Sequence, residues 1–325
     1  MIGLRWGIVN AISDRHDGLV RFEVDGVPCV AYTRLTGEVE EGDTVLVNGR
    51  ARELELGSGG FDVLAVNLTR GLRLPVDEDA HVVAWPYAPG QHVVRFAEED
   101  AAEPPPSLGN RPVVCCGLHS QVAPVCAALT GLRVAYVQVA GGALPVSLSD
   151  TLRTLRARQL VEVTIAVSPC VDADLQCVTL ASALMTASAR GVDAIVVSIG
   201  PGVVGTASTY GHGGLVVADA VNATAALGGH AIVAPRVSHA DERERHRGLS
   251  HHTRSALSLC LGDRVVAWPS GLDTPDGVDV QVFDAEHWRE ACANLPLSHM
   301  GRGPDDDPWF FATAFAAGVA ARASR

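Results

Sequence analysis

Nineteen residues from Arg236 to Arg254 hold five arginines, four histidines and three hydroxyls, in a chain otherwise rich in alanine and valine. Guanidinium forks bind phosphate or carboxylate, and histidine moves protons near neutral pH. If the segment Ala240 to Arg247 is helical, His239, Arg243 and Arg247 lie along one stripe. On its other faces Asp241 would pair with Arg245 and Glu242 with His246. Gly248 then ends the helix, and Ser250-His251-His252-Thr253 leads into a strand.

A second stretch offers a complementary chemistry. Gly200-Pro-Gly-Val-Val-Gly205 and the following Thr206 to Gly214 are rich in glycine and follow the β-branched run Ala194 to Val197. Glycines allow close backbone approach, and the next helix, Gly214 to Leu227, begins with unpaired N–H groups and a positive dipole end, so the loop reads as an anion site. The spacing matches G-x-G-x-x-G between a strand and a helix. A dinucleotide site also needs an acidic residue at the end of the next strand, and Arg236 stands there instead.

Metal binding is the rival reading, because His239-x-Asp241 and three further histidines supply nitrogen and oxygen donors. His246 and His251 are spaced too far apart to share a helical face, and five arginines repel a divalent cation, so anion recognition is preferred and no residue is assigned as a metal ligand. Nucleophilic hydrolysis has little support. No G-x-S-x-G elbow occurs, and Gly211-His-Gly-Gly214 is only loosely similar to an esterase oxyanion loop. Proton-transfer roles fall to His246, His251 and His252. Ligand-holding roles fall to Gly200, Gly202, Gly205, Thr206, His212, Arg236, Arg243, Arg247, Ser250 and Thr253.

These residues must be positioned by a sheet. After the acidic and proline-rich stretch 97–109, read as a linker, buried strands and helices alternate strictly. Strands are expected at Pro112 to Cys116, Arg133 to Val139, Val161 to Val167, Ala194 to Ile199 and Ala231 to Val237. Helices are expected near Val122 to Leu129, at Leu148 to Arg158, at Leu175 to Ala189 and after the glycine loop. The alternation predicts an α/β domain over 110–325 with a doubly wound, mostly parallel Rossmann-like sheet, whose ligand site lies beyond the carboxyl ends of its strands. Leu257, Leu259 and Leu261 alternate up to Gly262-Asp263, which suggests an antiparallel hairpin with Arg264 to Trp268. Asp307 and Pro308 are placed to start a terminal apolar helix.

Residues 1–96 read differently. Short alternating runs broken by turn signals, including Asp25-Gly26, predict a small antiparallel β barrel or sandwich that is a structural or dimerising module. The whole chain of 325 residues carries a net charge of -12 and contains no lysine. That excludes a Walker A lysine, a pyridoxal Schiff base and a kinase strand lysine, and it opposes nucleic-acid binding. Eight scattered cysteines without a C-x-x-C pair read as reduced core residues of a cytosolic protein, and the terminal run Trp309 to Ala321 is too short to span a membrane.

The combination of Gly200-Pro-Gly-Val-Val-Gly-Thr206, Arg236 with Asp241-x-Arg243-x-Arg245-His246, Gly248-Leu-Ser-His-His-Thr253 and Met300-Gly-Arg-Gly resembles an uncharacterised bacterial family. That family is a domain of unknown function, and the resemblance covers the whole chain. It implies a cytoplasmic protein and carries over no activity, cofactor or catalytic residue. The residues themselves point to binding of, and chemistry on, a phosphorylated or nucleotide-like anionic small molecule. The alternatives are a metabolite sensor or interaction protein without catalysis, in which the β module dimerises, and a metal-dependent hydrolase using the histidines.

Overall fold

The computed structural model describes residues 3–56, 59–71, 74, 78–100 and 105–325. They form two compact units, Met1–Arg95 and Phe96–Arg325. In the first, β1 (Leu4–His16), β2 (Leu19–Val24), β3 (Val27–Tyr32), β4 (Thr44–Asn48) and β5 (Asp62–Asn67) close a barrel in the order β1-β2-β3-β5-β4. All neighbours are antiparallel except β3 and β5, which run parallel. Inward positions alternate along the strands and bury Val9, Val20, Phe22, Val24, Val45, Val47 and Leu64. The turn at Asp25 (φ 53°) and Gly26 (φ 75°) has the left-handed pair that a two-residue hairpin needs. Single turns of helix, α1 (Thr33–Thr36) and α2 (Arg50–Glu53), follow β3 and β4, and β6 (Val82–Ala84) pairs with β7 (His92–Val94).

The second unit is built on an eight-stranded sheet. Its strands are β8 (Pro112–Cys116), β9 (Val134–Val139), β10 (Val163–Val167), β11 (Leu175–Cys177), β12 (Ala194–Ile199), β13 (His230–Ala234), β16 (Arg264–Pro269) and β17 (Gln281–Phe283). They lie in the order β11-β10-β9-β12-β8-β13-β16-β17, and every neighbouring pair is parallel. β14 (Val237–Ser238) and β15 (Gly248–Leu249) form a separate antiparallel pair that ties off the loop between β13 and β16.

Helices cover both faces, which is why the central strands are apolar throughout. On one face α3 (Val122–Ala128), α4 (Asp150–Ala157), the short α8 (Trp288–Ala291) and α9 (Pro308–Ala323) pack on Val114, Val196, Ile232 and Ala267. On the other, α5 (Leu180–Ala189), α6 (Val216–Ala226) and α7 (His251–Ser258) pack on Val113, Val137, Ile195 and Val233. The alanine-rich α9 crosses α3 closely at Gly318, where a Cβ would lie 2.4 Å from the Val125 carbonyl oxygen.

Several local expectations change. Leu175–Cys177 is an edge strand rather than the start of a helix, because it pairs with Ile165 to Val167. The hairpin expected from Leu257 to Trp268 does not form. Ser250 caps a helix over His251–Ser258 instead, and β16 runs parallel to β13. Asp307 does precede the terminal helix, with Pro308 in its first turn, yet its carboxylate makes no cap and accepts from the Ser238 hydroxyl and His239 N–H. Of the stretch read as a linker, residues 101–104 lie outside the described residues. Ala97–Glu99 form a turn in which Glu98 accepts from Val178 N–H at 2.7 Å and from the Ser182 hydroxyl.

Candidate functional site

The loops after β8, β12 and β13 meet beyond the carboxyl ends of these central strands, where an open parallel sheet binds its ligands. The loop after β12 carries His212, and the loop after β13 ends in His246 and the first turn of α7 with His251 and His252. The four imidazoles form one cluster. His212 and His252 stack with ring centroids 3.8 Å apart, His251 lies 4.4 Å from His252, and His246 lies 4.8 Å from both His251 and His252. His246, His251 and His252, given proton-transfer roles from the sequence, are therefore joined by His212, given a ligand-holding role there, which comes from a different strand end.

Burial favours the neutral form of all four rings. It pushes His252 down to about 2, and His212, when it carries a proton, and the Arg236 guanidinium add to the effect. Burial and then Arg236 and Arg243 push His246 down to about 3. His212 and His251 are lowered for the same first reason. Hydrogen bonds orient the cluster. The His212 Nε2 faces the Thr209 carbonyl at 3.1 Å, which makes that nitrogen the protonated one and leaves Nδ1 as the lone pair. His246 Nδ1 lies 2.7 Å from the Ser250 hydroxyl, whose oxygen also accepts from the His252 N–H at the start of α7. Three buried ring nitrogens of this cluster have no hydrogen-bond partner among the described residues: His212 Nδ1, His251 Nε2 and His252 Nδ1.

The arginines divide into two groups that the sequence did not separate. Arg236 is buried and its Nη2 donates to Asp241 at 3.0 Å, while Arg243 donates to the same carboxylate through Nε and Nη2, both at 2.9 Å. Arg302 joins them at 3.4 Å. Burial lowers Arg236 to about 10. Asp241 also accepts from the Arg243 N–H, and this local turn replaces the helix expected over Ala240 to Arg247, of which only Glu244–His246 makes a single helical turn. The stripe of His239, Arg243 and Arg247 and the pairs Asp241–Arg245 and Glu242–His246 are consequently absent among the described residues.

The second group faces a cleft of about 550 Å³ whose wall includes Arg245, Arg247, Arg254, His239, His251 and Trp268. Arg247 donates Nε to the Asp241 carbonyl and Arg254 donates to the Asp276 carbonyl, leaving other N–H groups of both for a ligand. Arg245 makes no hydrogen bond or ion pair among the described residues. Arg245, Arg254, His239 and Trp268 were not among the residues assigned to a site from the sequence. For the two arginines the signal was their place in the basic stretch, and for Trp268 there was none.

The glycine-rich loop is not an open cradle. Its N–H groups at Val204, Thr206, Ser208, Gly211 and Gly213 are taken by Gly141 O, Gly211 O, Thr206 Oγ1, Ser208 Oγ and Val204 O. Its glycines serve backbone contact. A Cβ on Gly200 would lie 2.1 Å from the Ala143 carbonyl oxygen, and one on Gly213 would lie 2.3 Å from that of Gly141. Gly202 takes φ 74° with open space around it, Thr206 closes the loop on itself, and Gly205 bridges to His212 and thereby seats that ring. Ser250 and Thr253 also act as supports. Ser250 caps α7, and the Thr253 hydroxyl accepts from the Arg236 N–H at 2.9 Å.

No helix among the described residues is long and apolar enough to cross a membrane. No curated protein and no solved structure matches the chain. Residues 28–318, which take in β3 from its second residue, β4 and β5 of the barrel and nearly all of the second unit, match the model of a family described as protein of unknown function DUF3866, and the chain belongs to that family.

Proposed function

We propose that this protein binds a phosphorylated or nucleotide-like anionic small molecule in the cleft beside His251, and that its chemistry takes place at the adjoining histidines. The observation that carries this reading is the convergence of Arg245, Arg247 and Arg254 on a cleft of about 550 Å³, in a chain whose net charge is -12. A cleft of that size suits a metabolite, and guanidinium groups with spare N–H donors match phosphate oxygens. Trp268, Leu249 and Leu272 add apolar wall for the uncharged part of the ligand. Arg236 and Arg243 are bound to Asp241 and support the loop, so they do not grip the ligand in this reading. Eight free cysteines, seven of them buried, support a reducing compartment such as the cytoplasm.

A thermal-shift series with inorganic phosphate, sugar phosphates and nucleotides tests the proposal. A ligand at 100 times its dissociation constant should stabilise the protein by about 2.7 kcal/mol. Arg245→Gln and Arg247→Gln should each weaken affinity about tenfold or more, the equivalent of one charge-assisted hydrogen bond, without moving the unliganded midpoint. Equal shifts in the two variants and the unaltered protein, or no shift with any anion, would remove the reading.

A further inference from the structure

We propose that His212, His251 and His252 form a binding site for one divalent transition-metal ion, with zinc the natural occupant. Each of the three offers one ring nitrogen, and these nitrogens lie within 4.8 Å of one another. Tetrahedral donors about 2.1 Å from a shared ion stand about 3.4 Å apart, so the rings must close in by up to about 1.4 Å, a shift that rotation of the side chains supplies. The buried unpartnered nitrogens of the same three residues call for an occupant, because such atoms are almost always paired with protein, water or an ion.

The surroundings have the features of a metal site. The Thr209 carbonyl fixes the His212 tautomer from behind, as the outer shell of a ligating imidazole does. Ser250 holds the start of α7, from which His251 and His252 project. The donors are nitrogens alone, which favours zinc and its neighbours over magnesium or calcium. Two features shape the ion's remaining coordination. His212 and His252 are stacked with planes 13° apart, so one ring turns to bring both lone pairs onto the ion. Arg245, Arg236 and Arg243 act electrostatically on His251, and Arg236 on His252, and an anionic ligand in the open position would offset their charge. Hydroxide is the simplest such ligand, and a three-histidine centre generates it by acidifying bound water.

The inference stands on the histidines and is independent of the anion reading of the cleft. Its test therefore uses metal alone. The full chain is stripped with a chelator, exchanged into phosphate-free buffer and titrated with Zn²⁺ by calorimetry, and with Co²⁺ by visible absorption. One ion per chain is expected, with the intense Co²⁺ bands of a low-coordinate nitrogen site. His212→Ala, His251→Ala and His252→Ala should each weaken Zn²⁺ binding by about 100-fold or more, beyond the effect of losing an outer-shell partner. His230→Ala, at the opposite end of β13, should bind as the unaltered protein does. Absence of a saturable Co²⁺ spectrum in the unaltered protein would overturn the site, a result that does not depend on any variant folding. So would Zn²⁺ binding that survives two of the three substitutions in folded protein, or that is lost equally in His230→Ala.

Discussion

Replacing Asp241 by asparagine tests the claim that one buried carboxylate organises the basic loop. Asp241 and Arg236 are 2% and 4% exposed, with no other carboxylate bonded to Arg236 among the described residues. A neutral amide in place of the carboxylate would leave that guanidinium buried and uncompensated, a change that costs about 3–5 kcal/mol when one partner of a buried pair is removed. Arg243, whose side chain is 38% exposed, would turn to water and add at most about 1 kcal/mol. For a unit of this size the loss corresponds to a midpoint drop of roughly 6–20 °C, measured by thermal or urea unfolding of the full chain. Removing both charges with Arg236→Met and Asp241→Leu should cost less than Asp241→Asn alone. Acid gives a further reading. Burial would raise the Asp241 carboxyl, but hydrogen bonds from Arg243 and the charges of Arg243 and Arg236 outweigh it and hold it below the usual carboxylate range. A depressed folded value means stabilisation that is complete above the unfolded value near pH 4 and fades as pH falls further, so the gap between unaltered protein and Asp241→Asn should close in that direction. A variant less than about 1 kcal/mol weaker at neutral pH would refute the argument that Asp241 compensates a desolvated Arg236.

Three other perturbations probe separate parts of the molecule. Gly318→Ala pushes a methyl into the Val125 carbonyl and Ala128, and should cost about 1–3 kcal/mol in global unfolding, as overpacking does, although alanine suits helices better than glycine. Ser250→Ala removes the α7 cap and the hydroxyl facing His246, and should cost about 1 kcal/mol while weakening Zn²⁺ affinity in the calorimetric titration. Asp62→Asn in the barrel removes a buried carboxylate that takes hydrogen bonds from Arg5 and Arg52, and should speed amide exchange of β2 and β3 by an amount equivalent to about 1–3 kcal/mol. Burial raises the Asp62 carboxyl, yet those two arginines hold it below its ordinary value, so the difference should shrink as pH falls below about 4.

Much of the architecture could be read from local pattern. Alternating apolar residues located the barrel strands, because a half-buried strand exposes every second side chain, and Asp25-Gly26 announced its turn through residues that tolerate positive φ. Continuous β-branched runs such as Ala194–Ile199 announced strands buried on both faces, and their alternation with helices announced a parallel sheet. Where two local signals competed the reading failed. Leu257, Leu259 and Leu261 alternate like a strand, but Ser250 satisfies the first free N–H groups of a helix, and a helix crossover is what lets β16 lie parallel to β13.

The amino-acid sequence by itself placed the candidate site in the loops after β12 and β13, since there arginine, histidine and glycine concentrate in an apolar, lysine-free chain. Which of those residues are free to act was decided by the tertiary structure. The arginines from 236 to 254 look equivalent along the chain, yet Asp241 is buried beside Arg236 and Arg243 and commits them to each other, whereas Arg245, Arg247 and Arg254 face the cleft. The glycines look like a cradle, yet the chain after β9 crosses them so closely that their small size is used to let two backbones touch. His212 lies more than thirty residues before His246 in the chain, and it reaches the other histidines because β12, β8 and β13 are neighbours in the sheet. Spacing along a chain records only which side chains can share a helix or strand face, so a cluster drawn from separate strand ends appears only once the sheet has set their order.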